Sequence, residues 1–211
     1  MQIQKILVNK NIKFPKYEIF WKFKRFFDLL MCTILFPIFL IITVGLFFLN
    51  IFINNGPVFY IQKRMGRNCE PFYAIKFRTM ETSNVISRKY YESIETDRIT
   101  PLGAKLRKLR LDELPQILNV FKGEMSLIGP RPDYYEHAIT FVKNIPNYRE
   151  RHLIKPGISG LSQIRLGYAV GLSGTAKKTK IDIFYIKNAG FCLDAKIFFG
   201  TIKTIIKGLG I

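Results

Sequence analysis

The hydrophobic pattern is dominated by one uncharged run near the start of the chain. From Leu29 to Ile53, 25 consecutive residues carry no formal charge, and about 20 apolar residues are enough for a helix to span a bilayer. Pro37 lies inside the run, where it removes a helical hydrogen bond and predicts a kink. Both flanks are basic, so the positive-inside rule places both of them on the cytoplasmic side. The pattern favours a kinked re-entrant membrane helix over residues 23–54, with a single membrane span as the alternative.

Downstream of this run, short apolar strands give way to amphipathic helices. Residues 58–62 and 72–78 are β-branched and aromatic and are separated by turn residues, which predicts a β-hairpin. The polar stretch 81–97 predicts a loop. Thr100 and Pro101 predict the cap and first turn of a basic amphipathic helix, for which contact with anionic lipid is favoured over packing as a surface helix. Further helices are predicted over residues 114–121, 134–141, 181–187 and 195–207.

Together these elements predict a mainly helical α+β fold. Residues 55–211 would form a single small domain that stands on the re-entrant helix and faces the cytoplasm. Amphipathic helices, including the last one, would lie along the membrane interface, and a short β-hairpin would complete the fold. Residues 1–22 form a basic N-terminal extension.

The charge and the cysteines narrow the classes of partner. The net charge of +18 at pH 7 attracts polyanions, of which nucleic acids, anionic lipids and phosphorylated substrates are the candidates. The sequence shows no groove-reading or base-stacking module, which argues against nucleic acid. Three widely spaced cysteines without a C-x-x-C motif argue against a disulfide framework and a zinc site. A metal ion would be held by carboxylates, which suits magnesium better than zinc.

Two adjacent acids carry the most informative chemistry. Asp112 and Glu113 follow the basic segment 105–110. Pro115 is tolerated only in the first turn of a helix, so Asp112 is predicted at a helix N-terminus, where backbone N–H groups attract anions. An ionised carboxylate there could attack phosphorus if a cation shields the two negative charges from each other. The alternative is an ordinary helix-capping acid, which this segment alone favours.

A second motif fixes one arginine. Pro130 and Pro132 rigidify the backbone on either side of Arg131, and a guanidinium held in this way suits two-pronged recognition of phosphate. The alternative is an incidental arginine in a surface loop. A further acid, Asp28, stands at the entry of the membrane run, where a carboxylate needs a Lys or Arg partner.

These motifs resemble the bacterial sugar transferases, also called monotopic phosphoglycosyl transferases. The resemblance runs from about Phe23 to the C-terminus. Its parts, in chain order, are residues 24–28 (KRFFD), 56–59 (GPVF), 62–66 (QKRMG), 72–80 (FYAIKFRTM), 97–103 (DRITPLG), 111–116 (LDELPQ), 123–132 (GEMSLIGPRP) and 156–163 (PGISGLSQ), then Asp182, Tyr185 and Asp194.

The resemblance implies a bacterial inner-membrane enzyme with its catalytic domain on the cytoplasmic face. It would transfer a sugar-1-phosphate from a UDP-sugar to polyprenyl (undecaprenyl) phosphate and release UMP, as the first membrane step of surface glycoconjugate synthesis. Asp112 would be the nucleophile that forms a covalent phospho-sugar intermediate, with Glu113 as its partner, and Mg²⁺ would bind at both acids. The residues implied for phosphate binding are Arg131 with its neighbours Pro130 and Pro132, and Lys76 and Arg78.

The implied partners are the UDP-sugar, polyprenyl phosphate and anionic membrane lipids, with no nucleic acid, and a homo-oligomer is left open. Sugar specificity is expected in the loops 81–98 and 164–179. One departure concerns the membrane kink, where many members of the family carry Ser-Pro and this chain has Phe36-Pro37. Rival hypotheses are a membrane-anchored nucleic-acid-binding protein and an inactive scaffold, and the intact Asp112-Glu113 pair argues against the scaffold.

Overall fold

The computed structural model describes residues 18–53, 56–81, 89–92, 95–167 and 170–208. Most of the predicted N-terminal extension and part of the predicted loop 81–97 lie outside these ranges. The described fold is mainly helical, as the pattern predicted, and it contains two small sheets.

Seven helices and four short strands make up the described part of the chain. The α-helices are α1 (Glu18–Ile53), α2 (Pro101–Lys108), α3 (Ile117–Phe121), α4 (Tyr135–Asn144), α5 (Leu161–Leu166), α6 (Gly171–Lys187) and α7 (Phe191–Ile206). The strands are β1 (Phe59–Met65), β2 (Pro71–Phe77), β3 (Ser126–Ile128) and β4 (Gly157–Ser159). Short 3₁₀ segments connect them at Arg67–Cys69, Thr96–Arg98, Leu111–Gln116 and Tyr148–His152.

The apolar run forms one helix, α1, of 36 residues with Pro37 inside it. Within the described ranges it is the one helix long and apolar enough to cross a membrane. It begins at Glu18, before the predicted start at residue 23. Phe36, which stands where a serine is common, packs its ring against Phe39 and Phe121 at centroid distances of 5.8 and 6.1 Å. The re-entrant path of α1 through a membrane stays a prediction.

One face of α1 packs against the rest of the protein. Near its start, Lys24 Nζ lies 2.6 Å from Asp194 Oδ2 on α7. At its middle, the Phe39 ring stacks on Phe77 of β2 with centroids 6.0 Å apart. The opposite face exposes apolar side chains such as Ile41, which is 72% exposed. The buried positions recur along one side, at Phe20, Lys24, Asp28, Cys32, Phe39, Leu46 and Asn50.

Asp28 is buried on that face, with the predicted positive charges of Lys24 and Arg25 nearby. Its carboxylate accepts hydrogen bonds from Ser126 Oγ at 2.7 Å and from Leu127 N at 3.1 Å. Lys24 itself forms an ion pair with Asp194, and the hydrogen bonds of Asp28 tie α1 to β3. These contacts are structural.

The predicted hairpin is confirmed, and it carries one wall of the central cavity. Strands β1 and β2 pair antiparallel, from Phe59 opposite Phe77 to Met65 opposite Pro71. The rings of Phe59 and Phe77 stack with centroids 5.6 Å apart, next to Phe39 of α1. The aromatic end of the hairpin therefore packs on α1.

Helix α2 begins as predicted but packs differently. Thr100 Oγ1 accepts a hydrogen bond from Gly103 N at 3.0 Å, and Pro101 is the first helical residue. The apolar side of α2 faces the protein, because Leu106 is buried in the core. The alternative interpretation, a surface helix packed on its own domain, therefore fits α2 better than a lipid-facing helix. Helix α7 does expose apolar side chains, at Phe191, Phe199, Ile202 and Ile206.

Other boundaries and one sheet differ from the sequence predictions. The helix predicted over 114–121 is a 3₁₀ segment followed by the short α3, and α6 begins at Gly171, ten residues before its predicted start at 181. Strands β3 and β4 form a parallel pair that was not predicted. A Cβ atom on Gly157 would lie 2.1 Å from the backbone nitrogen of Gly129, so the two backbones touch. This contact holds the segment after β3 in place.

Candidate active site

A cavity of about 660 Å³ opens between the hairpin, α2, the 3₁₀ segment Leu111–Gln116 and the segment after β3. It brings together the predicted site residues with one exception. Pro130 is buried behind the wall, where its carbonyl accepts a hydrogen bond from Gly157 N at 3.0 Å. The charged and polar residues of the wall that concern the site are Arg64, Lys76, Arg78, Arg107, Arg110, Asp112, Glu113, Arg131 and Lys178.

The local backbone presents the two acids as the sequence predicted. Arg110 adopts a left-handed conformation, with φ of 54°, and ends the preceding turn. Asp112 and Glu113 then occupy the first turn of the 3₁₀ segment, and Pro115 follows inside it. Both side chains are largely buried, with 9% and 4% of their surface exposed. The acids therefore lie at a helical N-terminus inside a strongly positive cavity.

Glu113 is held by a ring of cations. Arg131 donates from Nη1 to Oε2 at 2.8 Å and from Nη2 to Oε1. Lys76 Nζ, on β2, donates to Oε1 at 2.5 Å, and Arg110 Nη1 lies 3.7 Å from Oε2. Although burial alone would raise it, the charges of Arg131 and Lys76 hold the pKa of Glu113 well below its usual range. Glu113 is therefore ionised and both of its oxygens are engaged.

Asp112 has a different environment. None of the described side chains donates a hydrogen bond to its carboxylate. Burial raises the pKa of Asp112, while the nearby charge of Lys76 opposes this rise and the charge of Glu113 adds to it. Two adjacent carboxyl groups with pKa values pushed apart are a common sign of separate chemical roles. The two acids therefore differ in their environment, and Asp112 is the one whose carboxylate accepts no hydrogen bond from a described side chain.

The wall also contains cationic side chains that sequence reasoning did not assign, among them Arg64, Arg107, Arg110 and Lys178. Arg107 was placed on a lipid-facing helix, but its Nε donates to Thr79 Oγ1 at 2.8 Å and its side chain lines the cavity. Arg64 and Lys178 come from β1 and α6. The sequence signal for Arg107 was the cluster of basic residues at 105, 107, 108 and 110 around α2. One side of this helix has to face the protein, so a basic side chain could be expected to point inward.

The acids present can supply only part of a metal site. Within the described ranges there is no group of three or more His, Cys, Asp or Glu side chains arranged around one point. Magnesium commonly takes one or two carboxylates and completes its shell with substrate phosphates and water. Asp112 fits this pattern directly, whereas Glu113 would have to exchange a contact with Lys76 or Arg131.

The chain is similar to known proteins along most of its length. The sequence model of the family described as bacterial sugar transferase matches residues 19–208. A UDP-N-acetylgalactosamine-undecaprenyl-phosphate N-acetylgalactosaminephosphotransferase from Aeromonas hydrophila is 40% identical over 187 residues, which cover 89% of this chain and 44% of the relative. A UDP-glucose:undecaprenyl-phosphate glucose-1-phosphate transferase from Xanthomonas campestris pv. campestris is 37% identical over 179 residues, or 83% and 36% of the two chains.

A shorter relative matches along most of its own length. An uncharacterized sugar transferase, EpsL, from Bacillus subtilis is 38% identical over 198 residues, which cover 89% of each chain. By contrast, the chain spans less than half the length of the Aeromonas and Xanthomonas proteins. The similarity to those two therefore concerns one part of each.

Proposed function

Because the chain belongs to the bacterial sugar transferase family, we propose that it transfers a sugar-1-phosphate from a UDP-sugar to undecaprenyl phosphate and releases UMP. The observation that carries the proposal is the position of Asp112, a carboxylate that accepts no hydrogen bond from any described side chain and lies in a cavity lined by cations. The named activities of the Aeromonas and Xanthomonas relatives support the same reaction. It would be the first membrane step in the synthesis of a surface glycoconjugate.

The cationic wall suits the diphosphate of a nucleotide sugar. Phosphoryl transfer depends on holding the phosphates in place and neutralising their charge. Lys76, Arg107 and Arg110 line the cavity beside Asp112, and each can donate hydrogen bonds to phosphate oxygens. Arg131 would contribute its charge from the position where it is now paired with Glu113.

The reaction has two displacements at one phosphorus atom. First, a carboxylate oxygen of Asp112 bonds to the phosphorus that carries the sugar, and the bond from this phosphorus to the UMP oxygen breaks, so UMP leaves with the electron pair. Second, a phosphate oxygen of the lipid bonds to the same phosphorus. The bond to Asp112 then breaks, which restores the carboxylate and gives a polyprenyl-diphosphate sugar.

Magnesium would lower the repulsion between the Asp112 carboxylate and the substrate phosphates. Asp112 is the side chain that best fits as its protein ligand, with Glu113 as a second one only after a rearrangement of its contacts. The chain itself would contribute in two ways. Lys76 and Arg131 keep Glu113 ionised, and the cavity wall positions the phosphates.

The direct test is release of UMP from the purified protein. We expect UMP to appear when the protein is given undecaprenyl phosphate together with one member of a panel that includes UDP-N-acetylgalactosamine and UDP-glucose, in the presence of Mg²⁺. The matched control omits each substrate in turn. If no member of a broad UDP-sugar panel yields UMP, the proposed reaction is wrong.

We also propose that α1 enters the membrane and returns on the cytoplasmic side, with anionic lipids around its basic flanks. Contacts near the start and at the middle of α1 support this arrangement, because both Lys24 and Phe39 pack on the same domain. A helix that crossed the bilayer would carry its far end about 30 Å away from that domain. Packing along one face leaves little room for such a separation.

The topology proposal predicts a labelling pattern. In a variant with its native cysteines replaced by serine, single cysteines are introduced at Lys5 and at Asn84. Both should react with a membrane-impermeant reagent only after the cells are broken open, so that the reagent reaches the cytoplasmic side. A cysteine at Ile41, on the exposed apolar face of α1, serves as the lipid-buried control. Reaction of the Lys5 position in intact cells would leave a single membrane span instead.

A further inference from the structure

Residues 130–133, which we call the arginine segment, have four consecutive backbone carbonyls that all accept hydrogen bonds from other parts of the chain. Such complete pairing fixes the backbone of a loop that has no helix or strand of its own. The four hydrogen bonds run from Gly157 N to Pro130 O at 3.0 Å, from Arg151 Nη2 to Arg131 O at 2.7 Å, from Arg64 Nη1 to Pro132 O at 2.9 Å and from Met65 N to Asp133 O at 3.1 Å.

Of these donors, Arg151 is itself the most constrained. Its side chain is 1% exposed and contacts two carboxylates, with Nε 3.0 Å from Asp182 Oδ2 and Nη1 paired with Asp133. Lys178 Nζ holds the other oxygen of Asp133 at 2.5 Å, and Tyr148 Oη donates to Asp133 at 2.6 Å. The buried guanidinium therefore lies in a network that joins the 3₁₀ segment Tyr148–His152 to α6 and to the arginine segment.

The network keeps this guanidinium charged and in one orientation. Burial alone would lower the pKa of Arg151, but the two carboxylates raise it above its ordinary value. Burial opposes ionisation of Asp133 as well, and Arg151 and Lys178 nevertheless hold its pKa far below the usual range. The charges in the network are thus compensated, which favours a single arrangement of its hydrogen bonds.

We propose that Arg151 is a positioning residue for Arg131, a role that rests on the function proposed above. Arg151 is not one of the described residues that line the cavity. It therefore acts through the backbone of Arg131 and does not touch the phosphates. Pro132 restricts the residue before it to extended conformations. The hydrogen bond from Arg151 then selects one orientation of the peptide plane between them, and with it the direction of the Arg131 fork.

The consequence is a fixed distance between the fork and Glu113. Arg131 reaches both carboxylate oxygens of Glu113 at once, which requires the guanidinium plane to be aligned with the carboxylate. A shift of about 1 Å in a positioned catalytic group can lower turnover by about a hundredfold. Arg151 thus controls, from outside the cavity, how Glu113 and the phosphates are held.

The test is a double-mutant cycle on UMP release. Arg151→Lys keeps a positive charge between Asp133 and Asp182 but loses the fork that reaches the Arg131 carbonyl, and we expect turnover to fall about ten- to a hundredfold. Arg131→Lys should also lower it about tenfold or more, because lysine cannot make the two-pronged contact. If Arg151 acts through Arg131, adding Arg151→Lys to Arg131→Lys should cost little more. Losses that multiply in the double variant would overturn the proposal.

A second measurement does not depend on activity. The side-chain ¹⁵Nε resonance of Arg131, identified by its disappearance in Arg131→Lys, should shift in Arg151→Lys in detergent-solubilised protein. The control is Arg149→Lys, the same change at an exposed position of the same 3₁₀ segment, which should leave the resonance in place. An unmoved resonance in Arg151→Lys would refute the positioning role.

Two cases remain to be separated. If Arg151→Lys does not fold, Tyr148→Phe removes only the hydroxyl that contacts Asp133 and Arg151 Nη1, and the same cycle should show a smaller but still non-additive loss. If the wild-type protein releases no UMP from any UDP-sugar, the proposed function fails. The resonance of Arg131 would still decide whether Arg151 positions it.

Discussion

Replacing Asp112 by asparagine should abolish turnover while leaving the fold intact. The amide of asparagine cannot form the acyl phosphate, so we expect UMP release to fall by about three orders of magnitude or more. Stability should change little, since no described side chain donates to this carboxylate and burial disfavours its ionised form. The melting temperature and the rate of UMP release, measured on the same preparation, separate the two effects.

The control is Glu70→Gln, the same acid-to-amide change in the hairpin turn. Glu70 is exposed and does not line the cavity. Its replacement should leave the rate of UMP release near that of the wild type. Equal losses in the two variants would mean that Asp112 has no special role.

The Asp112→Asn variant also tests whether the reaction has two steps. Wild-type protein incubated with a UDP-sugar labelled in the sugar, without the lipid, should release UMP and retain the label. Added undecaprenyl phosphate should remove this label from the protein, and Asp112→Asn should never acquire it. If UMP appears only when the lipid is present, direct attack by the lipid phosphate must replace the covalent intermediate.

The parts of the site that could be predicted from the sequence are those with a local cause. Pro115 restricts the helix start beside Asp112, and Thr100 with Pro101 marks the start of α2. Both were confirmed, because capping and proline geometry act within one turn of the chain. The hairpin was confirmed for a similar reason, since its strands are adjacent in sequence.

The contacts that set the electrostatics could not be predicted in this way. The partners of Glu113 come from residues 37 and 18 positions away, on β2 and the arginine segment. The pairing of β3 with β4 joins strands of three residues, which are too short to show a periodic pattern. Arg131 was assigned to phosphate from its own rigidity. Its contact with Glu113 depended on where the 3₁₀ segment packs.

These distant contacts divide the work between the two acids. Glu113 is surrounded by cations and stays ionised, which gives Arg131 and Lys76 a fixed place. Asp112, one residue earlier, has the charges nearby but accepts no hydrogen bond from a described side chain, which would suit the nucleophile proposed above. Adjacent positions in a 3₁₀ turn point in different directions, so one segment can carry both roles.

The role of Glu113 leads to a prediction about pH dependence. We expect Glu113→Gln to lower turnover about ten- to a hundredfold, because Arg131 and Lys76 lose the charge that orients them. The bell-shaped profile of turnover against pH should also move as a whole to lower pH. Its acid limb reports ionisation of Asp112 and its alkaline limb reports deprotonation of Lys76.

The direction follows from the charge that is removed. The pKa of Asp112 is raised first by burial and also by the negative charge of Glu113, so removal of that charge lowers it and the acid limb moves down. The pKa of Lys76 is lowered first by burial, and Glu113 partly restores it, so the same change lowers it further and the alkaline limb moves down too. The control is Glu70→Gln, at an exposed position of the hairpin turn, which should leave both limbs in place. Limbs that stay fixed in Glu113→Gln, or that move apart, would show that Glu113 does not set the charge state of Asp112 and Lys76.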